Sequence, residues 1–532
     1  MRLAMTRPEP PPPARTSARM GGSVCAKSGV VPEPFVPRGR DRSIREKFRT
    51  PVPLLLAASL LAAAPAPSRA AELFLVEEPE IYAAIDRLDA SGALPGFLAN
   101  TRPYAVSAVR EAARAAAEKG VPRTPTAVPL DPFDRDVLQW LAAYTAPPAT
   151  ARVTAGGAWS ESRFTPPNND GVPVPAQWSG RASLAAREEM GPYVSGHLRA
   201  LHYYGESGDD GSRLLDAALE TGYRYASLQI GKISAWYGPG RRGALVFTNN
   251  ASPLSGIRLH NPEPIPMSGR LSFLGNVQYD LFFTRMGRKP LRSRSILFGG
   301  RLAARPASWL EFGVSRALHY GGEGASDSFS EFWTDFWGNN EPSSRSNSLV
   351  GFDLAMTLPF RTQLVRLYWS PAGEHTRVSE WANQVGVFLP RVLGISRLDL
   401  RAEYADTYSR GARRIEWYGS ANYPHRYRGD LLGHAMGPYS RELSFVSRYF
   451  VRPSSFAEVS YDRVLHDGGA LDGERHDIFG AGLSGWVTDG WRAEARASMD
   501  RVISRGGVPG ADRTDFSAFI TVGYQVTSLS TP

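Results

Sequence analysis

A short segment of the chain combines a tight turn with side chains that could bind an anionic polymer. Gly238-Pro239-Gly240 bends the backbone, and Arg241 and Arg242 follow it directly. A guanidinium presents a planar pair of donors that matches a carboxylate, so the two arginines could bind the acid groups of an anionic ligand. Four neighbours could add ring stacking or amide hydrogen bonds to such a site: Trp236, Tyr237, Asn249 and Asn250.

The same residues also have a purely structural interpretation, which the sequence leaves open. Arg241, Arg242 and the two asparagines could close a hydrogen-bond network with carboxylates that face them in the interior of the protein. Trp236 and Tyr237 could instead belong to the aromatic girdle that marks the membrane interface of a β-barrel.

A second segment with the same ambiguity covers residues 405–440, which are dense in tyrosine and arginine. Its candidate binding residues are Tyr427, Arg428 and His434. Each of these side chains could contact a sugar or could belong to an interior polar network. We carry all three forward as candidates for polysaccharide binding.

Residues 321–347 form a long insertion that is rich in glycine, serine and acidic groups. Its aromatic residues recur at helical spacing, which predicts a short amphipathic helix within a loop. We expect the aromatic stripe to pack into the mouth of a barrel as a plug. The alternative is that Trp333 and Trp337 are stacking platforms for sugars.

The chain lacks the side-chain arrangements of common enzyme classes. Its nine histidines are scattered, without a pair at metal-ligand spacing beside a carboxylate motif. No Gly-x-Ser-x-Gly elbow leads from a strand into a helix, and the turn at Gly238 precedes a strand rather than the helix N-terminus of a phosphate loop. We therefore expect a protein without catalysis, without a cofactor and without a bound metal.

The net charge of the chain is concentrated in its first segment. The 532 residues carry a formal charge of +9, and residues 1–70 contain 12 Lys or Arg against 4 Asp or Glu. The only cysteine, Cys25, lies in the same segment. The rest of the chain is nearly neutral and free of cysteine, which argues against a nucleic-acid partner, a disulfide scaffold and a cysteine-ligated zinc site.

The N-terminal region has the features of an export signal. In residues 45–70 a basic flank precedes an apolar run that is too short to span a membrane, and Ser68-Arg69-Ala70 supplies the small residues of a cleavage site. Residues 1–44 are rich in proline and arginine, so we expect a disordered extension or a mis-assigned start. The exported protein is predicted to begin at about residue 71.

Residues 71–150 are predicted to form a short helical segment in the periplasm. Apolar residues recur at helical spacing in three stretches, of which the first includes Ile81, Ile85 and Leu88. The third stretch opens with Asp131 followed by a proline, which is typical of a capped helix start.

From residue 151 to residue 532 the hydrophobic period changes from 3.6 to 2. In residues 397–404, for example, Leu, Leu, Ala and Tyr alternate with Arg, Asp, Arg and Glu. Such strands have one apolar and one polar face, and a membrane barrel buries the first in lipid and directs the second into its lumen. At roughly 20 residues per strand, this region predicts an all-β fold, a transmembrane antiparallel β-barrel of about 18 strands.

Two of these segments resemble those of a known family. Residues 231–242 and 245–253 are similar to the "WWGPG … (S/T)NNA.P" segment of the capsule assembly Wzi family, and residues 423–430 and 433–437 are similar to its "YRYRG…GH..G" segment. The intervening residues 309–313 also fit. The resemblance extends over most of the chain after the export signal.

The resemblance implies an outer-membrane barrel that binds capsular or extracellular polysaccharide and helps to organise it at the cell surface, without catalysis. It also implies contact with outer-membrane lipid and with the outer-membrane insertion machinery, and we expect a monomer. The alternative function is that of a diffusion porin whose charged lumen passes small polar solutes.

Overall fold

The computed structural model describes residues 78–119, 130–287, 293–338, 346–360, 363–374, 380–407 and 417–527. The predictions for residues 1–44 and 45–70 lie outside the described residues. None of the helices within the described ranges combines the length and the apolar character that crossing a membrane requires.

Three helices precede the sheet: α1 (Pro79–Ala90), α2 (Val106–Lys119) and α3 (Pro132–Thr145). The local sequence explains where α1 and α3 begin, because each has a proline in its first turn, where a missing N–H costs nothing. The Asp131 side chain caps α3 by accepting a hydrogen bond from the Asp134 N–H at 2.8 Å. The three predicted helices are therefore present.

Eighteen strands form a closed antiparallel barrel, which confirms the predicted fold class. Strand β1 closes it by pairing with both β2 and β18. In chain order, β1 to β18 are Ala149–Ser160, Gln177–Glu189, Val194–Gly205, Gly211–Tyr223, Ala226–Ile233, Leu254–His260, Asn276–Arg285, Ile296–Ala307, Leu310–Tyr320, Ser346–Pro359, Leu364–Glu374, Glu380–Leu389, Leu398–Asp406, Ser440–Arg452, Ser455–His466, Arg475–Trp486, Trp491–Ile503 and Arg513–Thr527.

The strands alternate between an apolar outer face and a polar inner face. In β18, Ile520 and Val522 are exposed on the outside, whereas Thr521 and Gln525 are buried on the inside. The outer face of the barrel is therefore the hydrophobic one, as the period-2 pattern predicts for a wall that lipid surrounds.

The two ends of the barrel differ in their connections. At one end, which we call the short-turn end, several strand pairs are joined by very short turns, as at 224–225, 308–309 and 453–454. At the other, the long-loop end, the connections include 234–253 and 407–439. The helical segment enters β1 at the short-turn end.

Helix α1 lies inside the barrel and is almost wholly buried, including its charged residues. Three of its carboxylates pair with arginines of the inner wall. Glu80 contacts Arg492 of β17 at 2.9 Å, and Asp86 contacts Arg401 of β13 at 3.0 Å. Asp89 binds two more arginines of the wall, Arg305 of β8 and Arg366 of β11.

Candidate functional site

The turn at Gly238 crosses the interior of the barrel. It follows a two-residue strand, Trp236–Tyr237, which pairs with Thr101–Arg102 of the helical segment. Gly238 has a φ of 136°, a backbone conformation that favours glycine. The Trp236 indole N–H donates to the Gly240 carbonyl at 3.1 Å, and the Arg102 guanidinium lies 4.9 Å from the centre of the Trp236 ring. Trp236 and Tyr237 are thus buried in the lumen and are not girdle residues.

A buried carboxylate holds the turn in place. The Glu403 side chain, on β13, accepts the backbone N–H of Arg241 at 2.8 Å and that of Arg242 at 2.9 Å. It also accepts the hydroxyl of Tyr368 and lies 3.8 Å from the Arg401 guanidinium. Because one carboxylate accepts hydrogen bonds from two adjacent backbone N–H groups, it fixes the backbone conformation of the turn.

The side chains of the two arginines are paired inside the protein. Arg241 forms an ion pair with Asp86 of α1. Arg242 contacts Asp462 of β15 at 2.5 Å and Glu442 of β14 at 3.7 Å. We call this set of ion pairs around the turn the central network. The sequence left two interpretations of these arginines open, and the structure shows the contacts of the interior network.

The two asparagines join separate segments across the lumen. Asn249 donates to the Asn168 carbonyl at 2.8 Å, and Asn250 donates to the Leu431 carbonyl at 3.3 Å. The Asn250 amide oxygen also accepts the Asn168 N–H at 3.3 Å. Both side chains are buried. Their hydrogen bonds connect the β1–β2 loop, the 234–253 loop and the segment before β14.

The candidates of the second motif divide between the interior and the surface. His434 is buried. Its backbone N–H donates to the Tyr418 hydroxyl at 3.1 Å, and its ring lies 3.7 Å from Glu442. Burial lowers the pKa of His434 to about 4, so this ring is neutral at physiological pH. Tyr427 is half-buried, whereas Arg428 is exposed and lies over the Tyr427 ring at 5.4 Å.

A helix, α4 (Phe329–Phe336), forms in the 321–347 insertion, as the spacing predicts. Phe332 on this helix packs against Phe298 at 5.4 Å and Tyr320 at 5.6 Å between ring centres. Phe332 also contacts the ring of Phe283, which belongs to the outer face of β7. The helix therefore lies against the outside of the barrel, and the prediction that it plugs the mouth is wrong.

The other side of α4 is uncovered in the structure. Trp333 is 50% exposed and Trp337 65% exposed, and their rings contact each other edge to face at 5.6 Å. These two candidates thus lie apart from the lumen, and the structure does not bring them together with Arg241, Arg242 or His434.

A crevice that the sequence did not reveal lies in the lumen beside β1. It has a volume of about 220 Å³ and is covered in part by the β1–β2 loop. Phe519 of β18 is flanked there by two guanidiniums, that of Arg181 at 5.3 Å and that of Arg496 at 5.9 Å from the ring centre. We call this site the arginine crevice.

The charges of the arginine crevice are only partly compensated. Glu494 contacts Arg496 at 2.9 Å and Arg492 at 3.0 Å. Arg181 forms no ion pair within 4 Å among the residues that the structure describes. The crevice can therefore offer one guanidinium and one aromatic face to an incoming acidic ring, with Arg496 as a second, partly engaged donor.

Sequence spacing could not reveal this crevice, because Arg181 and Phe519 are separated by most of the chain. They become neighbours only when β1 pairs with β2 on one side and β18 on the other, which places Arg181 opposite Gly156 and Phe519 opposite Ala158, two residues further along β1. The available signal was that each residue lies on the polar face of its own strand.

Comparison with known proteins decides the family. The model of the family described as capsule assembly protein Wzi matches residues 146–515, which is more than half of the chain. The chain belongs to the Wzi capsule assembly family. The family prediction is thereby confirmed, together with a barrel in the bacterial outer membrane.

A curated relative matches part of this Wzi-family chain. It is 33% identical over 155 residues to an uncharacterized 55.8 kDa protein in the cps region of Klebsiella pneumoniae. That match covers 28% of the chain and 30% of the relative, so the chain spans less than a third of that curated protein.

One solved structure shows the shared fold, and a second is less similar. The Escherichia coli protein Wzi is described as an outer membrane protein involved in group 1 capsule assembly and as a carbohydrate-binding β-barrel. It is 20% identical, with 86% of this chain and 99% of that chain covered and a TM-score of 0.68. OprD of Pseudomonas aeruginosa is 12% identical, with 72% and 96% covered and a TM-score of 0.45.

Proposed function

We propose that this Wzi-family barrel binds capsular or extracellular polysaccharide and helps to attach or organise it at the cell surface, without catalysis. The observation that carries the proposal is the arginine crevice, an aromatic face between two guanidiniums inside the lumen. The description of Escherichia coli Wzi as carbohydrate-binding and the membership of the capsule assembly family support it.

The chemistry of the crevice suits one unit of an acidic polymer. A sugar ring presents C–H groups that pack on the Phe519 face, while a carboxylate on the ring matches the planar donors of Arg181. A volume of about 220 Å³ is smaller than that of pockets for whole drug-sized ligands, so the crevice would admit a single unit. We therefore propose that a uronic acid or a similar acidic sugar enters it.

The alternative function, a diffusion porin, has less support. The buried turn at Gly238, helix α1 and the segment before β14 all occupy the lumen. These segments are joined to the wall by ion pairs of the central network, so opening a wide channel would require that buried pairs separate.

We also propose how the barrel is oriented and what surrounds it. In outer-membrane barrels short turns face the periplasm and longer loops face outward, which would place the short-turn end, where the helical segment enters β1, on the periplasmic side, with α1 inside the lumen. The exposed apolar wall would contact outer-membrane lipid after delivery by the insertion machinery. One closed barrel leaves no unpaired strand edge, which favours a monomer.

For α4 we propose a role at the lipid interface in place of sugar stacking. Phe332 of the helix packs on the apolar wall at the long-loop end. Trp333 and Trp337 lie on the exposed side of the helix. Tryptophan is enriched where lipid headgroups meet the acyl chains, because its ring is amphipathic.

The binding test uses the purified full-length barrel and the polysaccharide extracted from the surface of the same bacterium. We expect the double variant Arg181→Gln/Arg496→Gln to bind the polymer at least about tenfold more weakly, since each lost charged hydrogen bond contributes roughly 1.5–3 kcal/mol. Raising salt from about 0.1 M to about 1 M should weaken wild-type binding in the same direction, because the screening length falls to about 3 Å.

The matched control is Arg513→Gln, which removes an arginine of β18 that is paired with Asp515 at 2.5 Å outside the crevice. This control should bind like the wild type. Equal affinity of the wild type and the double variant would remove the crevice from the binding site, and large single-channel currents in planar bilayers would favour the porin.

A further inference from the structure

Two histidines and a glutamate meet at the long-loop end of the barrel, where β15 turns into β16. The hairpin is closed by the His466 N–H, which donates to the Glu474 carbonyl at 3.0 Å. One ligand atom from each of His466, Glu474 and His476 lies within 4.8 Å of the other two. The sequence showed no metal-ligand spacing, but the register of the hairpin brings these side chains together.

His476 is held between two carboxylates. Its Nδ1 lies 2.9 Å from one oxygen of Asp500, on the neighbouring strand β17, and its Nε2 lies 2.9 Å from Glu474. An ionised Asp500 can only accept, so Nδ1 carries a proton and donates it. A carboxylate that holds Nδ1–H of a histidine orients the ring and makes Nε2 the ligand atom in many metal sites.

His466 is fixed in the same tautomer by a different partner. Its Nδ1 lies 2.8 Å from the Ser440 hydroxyl oxygen, and that hydroxyl donates its single proton to the Pro438 carbonyl at 2.7 Å. The Ser440 oxygen therefore accepts the Nδ1 proton of His466. The lone pair of His466 is then on Nε2, which forms no hydrogen bond within the described part of the chain.

Glu474 is also oriented from behind. One of its oxygens faces His476, and the other accepts the backbone N–H of Gly506 from the β17–β18 loop. The Gly506 N–H thus fixes one oxygen of the carboxylate and leaves the other directed at His476.

We propose that His466, Glu474 and His476 bind a divalent transition-metal cation such as Zn²⁺ at the long-loop end of the barrel. Two imidazole nitrogens and one carboxylate oxygen form a donor set that Zn²⁺ accepts. The cation takes the place of the proton between His476 and Glu474, and Asp500 and Ser440 hold the two rings. Three protein ligands leave one position of a tetrahedral ion for water.

Such a cation would tie the β15–β16 hairpin to the β17–β18 loop, because Glu474 is bonded to Gly506 of that loop. The inference does not depend on polysaccharide binding, since the cluster shares no residue with the arginine crevice. Failure of either proposal therefore leaves the other intact.

The test titrates Zn²⁺ into the full-length barrel, purified in detergent and stripped with a chelator, by isothermal calorimetry. We expect one saturable site per chain, lost in His466→Ala/His476→Ala. Glu474→Gln keeps the hydrogen bond from Gly506 but removes the anionic ligand, and should also lose saturable binding. Asp500→Asn acts only through His476 and should weaken binding about 10- to 100-fold.

The matched control is His202→Ala, because His202 is an exposed histidine of β3 whose ring bonds Ser212 at 3.0 Å, away from the cluster. It should bind Zn²⁺ as the wild type does. Heat-modifiable gel migration checks that each variant is a folded barrel. Wild-type binding that His466→Ala/His476→Ala leaves unchanged, or an absence of saturable binding to the wild type, overturns the proposal.

Discussion

The central network and the arginine crevice are both polar regions of the same lumen, but they differ in how fully their charges are paired. In the central network Arg241 and Arg242 each meet a buried carboxylate, and Glu403 accepts both of their backbone N–H groups. In the crevice Arg181 meets an aromatic ring instead. Residues of the family motif thus shape the lumen through paired charges, whereas the guanidinium without an ion pair lies elsewhere on the described wall.

The largest expected effect comes from breaking the central network at its hub. Glu403→Ala would leave the two backbone donors and the Tyr368 hydroxyl without their shared acceptor and would remove a carboxylate beside Arg401, and removing one partner of a buried pair costs about 3–5 kcal/mol. We expect a markedly lower melting temperature in detergent, measured by heat-modifiable gel migration. We also expect measurable conductance in planar bilayers.

Asp209→Ala is the control for that experiment, because Asp209 pairs with Arg163 on the surface, where an ion pair contributes about 0–1 kcal/mol. This variant should melt like the wild type and stay closed. A Glu403→Ala barrel with unaltered melting and conductance would show that the turn is held by packing alone.

An intermediate effect is expected in the crevice from a change that removes the ring but retains an apolar side chain. Phe519→Leu should weaken polysaccharide binding about three- to tenfold, because aromatic contacts contribute roughly 0.5–1.5 kcal/mol beyond the buried area. The measurement is equilibrium binding of the extracted polymer, with Ile520→Leu on the outer face of the same strand as control. Equal loss in both variants would point to a distorted strand instead of a stacking contact.

The smallest effect is expected outside the lumen, at α4. Trp333→Ala/Trp337→Ala should leave polysaccharide binding unchanged and lower the melting temperature only slightly. In lipid vesicles, lipids brominated near the headgroup should quench the fluorescence of the wild type more than that of the double variant, since both rings are proposed to lie at that depth. A loss of polysaccharide binding in this variant would instead indicate that these tryptophans contact the sugar.

How much of this could be predicted from sequence depends on the range over which each signal acts. The alternation in β18 and the cap at Asp131 are local, and both predicted their elements. The aromatic spacing of α4 predicted a helix, but its docking surface depends on the outward rings of Phe283 and Phe298, which are far away in sequence.

The sites were harder to predict because they depend on strand pairing. His466 and His476 match no short spacing template, yet the β15–β16 hairpin places them in one cluster. The proximity of Arg181 and Phe519 is harder still to predict, since only closure of the whole barrel through β1 makes them neighbours. Local physics thus indicates which face a residue occupies, and the closed topology determines which residues share it.

Helix α1 has a consequence for how this protein matures. Its acidic residues bind arginines on β8, β11, β13 and β17, which lie at separate points around the barrel. A barrel folded without this helix would enclose four guanidiniums that have each lost a buried carboxylate partner. The first helix therefore supplies counter-charges to four separate strands, which couples its position in the lumen to the charge balance of the whole inner wall.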